Sequence, residues 1–245
     1  MDTNLLGTRK FKDTAKAGMM AGYFSSFIHG KVFDVIERIY PNKNGNILDV
    51  GAGHGAFTER LLDSGYSNVT AIEKYTKFEP QVKCYKFDLN SPWVLEEKEG
   101  QIDVIVAIEI IEHVHSPYFF LKQARKIIKD DGILIVSTPN PLVFESRIHM
   151  LIGNGVEMIR KHPDHRTPIF PDMFEKICRE IGFNIIERHF DVDTLLVPST
   201  TFKGFIKKAV ARILRKILSK DIYNRGNSNI WVLSTGQSEA YYPGK

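Results

Sequence analysis

Ile47-Leu48-Asp49-Val50 runs directly into Gly51-Ala52-Gly53-His54-Gly55, and an amphipathic stretch starts at Ala56. An apolar strand that breaks into closely spaced glycines and resumes as a helix belongs to open α/β sheets. Glycine is needed there because the backbone must turn tightly and approach a ligand that a Cβ would obstruct. The rest of the chain keeps the same rhythm. Strands are predicted at Asn46–Val50, Val69–Ile72, Val82–Phe87, Ile102–Ile108 and Gly132–Ser137, with helices at Ala56–Ser64, Pro117–Lys129 and Asp172–Ile181. Gly65 and Gly182 follow two of these helices, and Ser116-Pro117 gives the third a serine cap with proline in the first turn. The last two strands, Phe183–Phe190 and Ile230–Thr235, are predicted to pair antiparallel at the sheet edge, since no ordinary crossover helix separates them.

With 245 residues and 43% hydrophobic content, one core suffices. A single domain is therefore expected. It comprises a helical cap at 1–45, a cofactor-binding core at 46–190, an insertion at 191–229 and a final strand at 230–236. The cap rests on Tyr23, Phe27, Val32, Phe33, Ile36 and Ile39, which recur at steps of three and four. Cys84 and Cys178 lie far apart and outside any metal-binding spacing, which argues against a disulfide framework or a structural zinc and for a reducing compartment. No secretory leader or membrane span is legible, so a cytoplasmic location is expected.

The net charge of +4 is local: without the seven Lys and Arg of Phe202–Lys220 it would be −3. In that segment Phe202, Phe205, Ile206, Ala209, Val210, Ile213, Leu214, Ile217 and Leu218 mark one helical face, and cations fill the other. Such a helix suits an anionic membrane surface, or its apolar face packs on the domain over an acceptor pocket. Nucleic acid is not the expected partner, because the basic character is confined to one stretch.

The acidic strand ends define the ligand. Glu73 closes the second strand about 20 residues beyond the loop, where a carboxylate accepts both ribose hydroxyls. Asp88 closes the third, placed to receive an adenine amino group. Gly51-x-Gly53-x-x-Ala56 alone also satisfies a dinucleotide fingerprint, so the loop by itself leaves an NAD enzyme open, as it does a plain turn with solvated acids. Asp49, two residues before the first glycine, favours a ligand with a cationic aminoacyl group over a pyrophosphate.

Together, ILDVGAGHG, AIEK, FDLN, DVIVAIEIIEHV and GILIVSTPNP resemble the class I S-adenosylmethionine-dependent methyltransferases over about Asn46–Phe190. Glu109-Ile-Ile-Glu112-His113-Val114 and Ser137-Thr-Pro-Asn-Pro141 resemble the branch that contains the ubiquinone-biosynthesis O-methyltransferases. The resemblance implies a Rossmann-like α/β fold with a seven-stranded, mostly parallel sheet ordered 3-2-1-4-5-7-6, its last strand antiparallel, and helices on both faces. It also implies that S-adenosylmethionine is held by Asp49, Gly51, Gly53 and Gly55 at the methionine end, Glu73 at the ribose, and Asp88 with Leu89 at the adenine. Ile108 and Glu109 would border the transferring methyl.

On the acceptor side, Glu109, Glu112 and His113 lie at i, i+3 and i+4, and one helical turn would set all three on one face. They are the candidate catalytic residues. The set resembles the E-x-x-E-H of small-RNA 3′-terminal 2′-O-methyltransferases, where a downstream histidine completes a divalent-cation site. His165 is the matching histidine here, with His162 as second choice. The resemblance implies magnesium or manganese on Glu109, Glu112, His113 and His165. Two other readings stand beside it: His113 as a metal-free base, or a structural role for the group. His29 and Tyr23 are candidates for the acceptor pocket, although core or surface roles fit them better. The expected function is methyl transfer to a hydroxyl of a small-molecule, sugar or lipid-linked acceptor. A non-catalytic adenosyl-binding or membrane-docking module and an RNA 2′-O-methyltransferase are the alternatives.

Overall fold

The computed structural model describes residues 23–95, 100–191, 209, 213 and 226–236. Helix α1 (Tyr23–Ile39) leads into β1 (Asn46–Val50), α2 (Ala56–Asp63), β2 (Asn68–Ile72), β3 (Cys84–Tyr85) and β4 (Ile102–Ile108). There follow α3 (Pro117–Ile127), β5 (Ile128–Pro139), α4 (Phe144–Leu151), α5 (Glu157–Lys161), α6 (Pro171–Ile181), β6 (Asn184–Phe190) and β7 (Ser228–Ser234). One seven-stranded sheet runs β3-β2-β1-β4-β5-β7-β6. Only β7 runs against its neighbours, antiparallel to both β5 and β6.

Period-two alternation divides the sheet's residues between two cores. Ile47, Val104, Val106, Ile135, Ile230 and Val232 face Val32, Phe33, Ile36, Phe57 and Leu61 of α1 and α2. Leu48, Ile105, Leu134, Trp231 and Leu233 face Phe120, Leu121 and Phe174 of α3 and α6. The central strands β1, β4 and β7 are buried on both faces, as a sheet covered by helices on both sides requires, whereas the edge strands β3 and β6 are mostly half-buried. The Arg38 guanidinium donates to Glu187, which ties α1 to the edge strand β6.

Local chemistry sets the boundaries. Ser116 Oγ accepts from Phe119 N at 3.1 Å and Pro117 opens α3, while Gly182 ends α6 at φ 90°. Some boundaries differ from the sequence reading. Strand β3 spans two residues where Val82–Phe87 was expected. Strand β5 starts at Ile128, where Lys129 was expected to be helical, because Ile128 pairs with Ile102 before Asp130 and Asp131 are looped out at a register shift. Helices α4 and α5 carry no side-chain cap and escaped prediction. The basic segment Phe202–Lys220 lies outside the described residues apart from Ala209 and Ile213, both helical. Among the described residues, no helix is long and apolar enough to cross a membrane.

Candidate functional site

The carboxyl ends of β1, β2 and β4 converge on the glycine loop, where an open α/β sheet binds its ligand. Gly51, Gly53 and Gly55 all have positive φ, at 71°, 57° and 93°. Gly51 N and Ala52 N both donate to Ile72 O, which pins the loop against β2. Glu73 is buried and reaches back: one carboxyl oxygen accepts from Gly53 N at 2.9 Å, the other from Tyr75 N and Thr76 N at 2.8 Å. A cavity of about 530 Å³ opens here, lined by Gly51, Gly53, Glu73, Tyr75, Phe87, Asp88, Leu89, Asn90, Ile110, His113, Val114, Asp164 and Arg166, among others.

Asp88 is committed within the protein. Asn90 N and Nδ2 donate to one oxygen, and Lys74 Nζ and the Tyr75 hydroxyl to the other. These bonds, that from Asn90 N foremost, hold its carboxyl well below the usual carboxylate range. Asp49 is buried beneath the loop and does not line the cavity. Thr58 Oγ1 donates to it at 2.7 Å, and burial pushes its carboxyl up to about 6. Gly55 caps α2. Ile108, expected beside the methyl group, packs into the core on the α1 side, and Ile110 lines the cavity instead.

The turn after β4 corrects another expectation. Residues 109–116 form no helix, and Glu109 sits at φ 53°, a left-handed conformation uncommon for a residue with a side chain. The i, i+3, i+4 face is therefore absent. Ser137 Oγ donates to the Glu109 carboxyl at 2.8 Å, as does Ser228 Oγ at 3.5 Å. Burial, with Asp191 adding to it, pushes this carboxyl up to about 7. Glu109 is thus not part of the ligand cluster predicted for it. Glu112, His113 and His165 are: one ligating atom of each lies within 4.8 Å of the others.

Glu112 is fully buried, and among the described residues neither of its carboxyl oxygens has a hydrogen-bond partner. Burial foremost, then Glu109, raises its pKa well above the ordinary value. His113 Nδ1 lies 3.2 Å from Asp164 O, and the His113 and His165 rings meet edge to face at 4.8 Å between centroids. Burial, then His113 and His162, lowers the His165 pKa. Arg166 N and Thr167 N both donate to Glu112 O, which fixes the loop that carries His165.

His165 also lines a second cavity, of about 430 Å³, with Ile28, Glu109, Asn140, Val143, Ser146, Met158, His162, Asp191 and Ser228 among its other walls. His29 stands outside both cavities: it meets Phe57 edge to face at 5.4 Å, and burial pushes its pKa down to about 4. The Tyr23 side chain is outside the described residues. Sequence reading missed Tyr75, Asn90, Ile110 and Arg166, since no spacing rule reaches loop residues brought in by tertiary structure. Asn90 alone left a signal, directly after the Asp88-Leu89 pair.

A methyltransferase domain family model matches residues 24–188. A ubiquinone biosynthesis O-methyltransferase of Pelagibacter ubique is 32% identical over 130 residues, 50% of this chain and 53% of that protein. The chain therefore spans about half the length of the curated relatives it matches. A SAM-dependent methyltransferase of Archaeoglobus fulgidus superposes with a TM-score of 0.57 at 17% identity, covering 84% of this chain and 94% of that one. Phosphoethanolamine N-methyltransferase 2 of Haemonchus contortus, solved with S-adenosyl-L-methionine, also gives 0.57, at 14% identity, covering 84% of this chain and 52% of that one. These structures share the fold.

Proposed function

Because the chain belongs to the methyltransferase domain family, we propose that it transfers a methyl group from S-adenosylmethionine to a hydroxyl of a small-molecule, sugar or lipid-linked acceptor. One observation carries this reading: two cavities meet across one pair of side chains, with His113 on the first and His165 on the second. S-adenosylmethionine supplies a methyl group on a sulfonium, which leaves as a neutral thioether.

The first cavity fits that molecule. After accepting its three N–H groups Glu73 retains one lone-pair site for a ribose hydroxyl, on the oxygen bonded to Gly53 N, and a second opens once Tyr75 N or Thr76 N gives way. Gly51 and Gly53 allow close approach, and Phe87, Leu89 and Val114 offer apolar walls to a purine. Ionised Asp49 favours a cationic aminoacyl end through the loop above it. Asp88 can receive an adenine amino group once Lys74 or Asn90 gives way.

The second cavity suits the acceptor, with Asn140, Ser146 and Ser228 as hydrogen-bonding groups beside apolar Ile28, Val143 and Met158. A divalent cation is the second part of the proposal, held by Glu112, His113 and His165, a set whose two imidazoles and one carboxylate suit manganese or another transition metal better than magnesium. It is supported by a buried carboxyl that makes no close hydrogen bond among the described residues and has His113 Nε2 3.8 Å from Oε1, a group that needs either a proton or a cation. Such a cation would hold the acceptor oxygen and lower its pKa. The names of the curated relatives favour oxygen as the methylated atom.

Calorimetry and a labelled-methyl assay test the whole. S-adenosylhomocysteine is expected to bind and NAD to fail, and label is expected to move from S-adenosylmethionine into a pool of catechols, glycans or quinone precursors. Transfer only to small RNAs would favour the RNA-modifying alternative. Binding without transfer to any pool would favour the non-catalytic module, and full activity in chelator would remove the metal. Glu73→Ala is expected to weaken S-adenosylhomocysteine by about ten- to a hundredfold, the worth of a charged hydrogen-bond pair. An unchanged isotherm would sink the ribose contact.

We also propose that Phe202–Lys220 docks on anionic membranes. Its seven cations and continuous apolar face support this. Phosphatidylglycerol vesicles are expected to sediment the chain at low salt and release it progressively up to about 1 M salt, where the screening length shrinks to about 3 Å. Neutralising Lys207, Lys208, Arg212 and Arg215 without effect on sedimentation would favour packing over docking.

A further inference from the structure

The loop between α5 and α6 carries a second set of metal-ligating side chains. One ligating atom each of His162, Asp164 and His165 lies within 4.8 Å of the others. The His162 and His165 rings stack with centroids 4.7 Å apart and 24° between planes, which holds the two imidazoles side by side. Asp164 is largely exposed, and its Oδ2 lies 3.3 Å from His113 Nδ1, which sets its carboxylate between the two groups of histidines. His165 Nδ1 is buried and makes no close hydrogen bond among the described residues, with the Met158 backbone near the ring.

We propose that His162, Asp164 and His165 form a second divalent-cation site, outside the inner set, that takes a transition metal of the zinc, cobalt or nickel type. Donors around such an ion sit roughly 3.4 Å apart, given metal–ligand bonds of about 2.0–2.2 Å. The three must draw together by about an ångström, which side chains on an exposed loop can do. Two imidazoles and one carboxylate, with positions left for water, favour these metals over magnesium, which prefers oxygen donors and retains its waters. The short spacing His162-Pro163-Asp164-His165 allows one turn of chain to supply every ligand.

The same loop walls both cavities. Asp164 lines the first, and His162 and His165 line the second. A cation bound to the outer set therefore fixes the partition between cofactor and acceptor, and it draws on the His165 that the inner set also uses. The outer site deepens the catalytic reading but stands on its own donors.

Cobalt(II) alone is the probe, added to the untagged full chain and followed by calorimetry and visible absorption. Two equivalents are expected, the second weaker because a neutral His165 imidazole has one lone pair and leaves whichever set fills second with two protein ligands and water. His162→Gln is expected to remove one equivalent and Glu112→Gln the other. A His162→Gln isotherm that superimposes on the wild type would overturn the proposal, whatever the inner set does. One equivalent lost in His162→Gln but kept in Glu112→Gln would support the outer site and refute the inner one. Circular dichroism and S-adenosylhomocysteine binding on the same samples separate a misfolded variant and a failed cofactor assignment from a failed metal site. If Glu112→Gln does not fold, the His162→Gln comparison decides alone.

Discussion

Gly51→Ala is expected to weaken S-adenosylhomocysteine binding by about tenfold or more and to lower the melting temperature. Left-handed backbone costs a residue with a Cβ roughly 1–2 kcal/mol, and at Gly51, with φ +71°, that Cβ would also stand 2.2 Å from Ile110 Cδ1. Ile110 lines the first cavity, so relieving the clash moves the wall as well as the loop. Gly65→Ala is the control. Its φ is +90° but nothing lies within 4 Å of the added Cβ, so it should lose stability and leave affinity alone. Calorimetry beside thermal unfolding checks both, and wild-type affinity in Gly51→Ala would show that the loop does not hold the ligand closely.

The second large effect is on pH dependence. Glu112 and Glu109 are carboxyls whose pKa values are raised in the folded chain, Glu109 to about 7. The folded state therefore holds protons that the unfolded state releases above the ordinary value of about 4.3. Their contribution is complete below that value and is lost as pH rises through the folded values, at a limiting slope of about 1.36 kcal/mol per pH unit for each proton. Asp49, pushed up to about 6, acts in the same sense, whereas Asp88 and Glu187 have lowered values and act oppositely. Comparing wild type with a single variant isolates one group. In chelator, Glu112→Gln is expected to stabilise the chain more at pH 8 than at pH 5, and with the cation restored it is expected to lower methyl transfer by about a hundredfold or more. Urea unfolding at the two pH values is the measurement. Equal gains at both would mean that Glu112 is not a buried neutral acid.

The sheet was legible because its physics is local. Alternating apolar residues, glycine after Val50 and a serine cap before Pro117 each act within a few residues. The strand order came from resemblance to a family, since no spacing in Phe183–Phe190 or Ile230–Thr235 says that β7 inserts beside β5. At the site, Glu73 and Asp88 were readable as strand ends. The turn was not. The reading of Glu109, Glu112 and His113 as one face assumed a helix, and the left-handed Glu109 breaks it. Its carboxyl bonds to Ser137 and Ser228, residues far along the chain whose approach depends on the completed sheet. Arg166 and Asp164 reach the cofactor cavity through two backbone bonds to Glu112 O, and such bonds leave no mark on side-chain pattern.

The insertion of β7 between β5 and β6 has a consequence for synthesis. A chain emerging from the ribosome presents β5 and β6 long before the strand that joins them, because residues 228–234 come out last among the seven strands. Until then two strand edges lie open, and the places of Ile230, Trp231 and Val232, all fully buried in the finished fold, are unfilled. Cotranslational folding can assemble β1 to β4 with their helices, but closure must wait until Ser228–Ser234 has been made. A chain stopped before Ser228 therefore yields no smaller working version of the protein. It yields a sheet with sticky open edges for chaperones and proteases to clear.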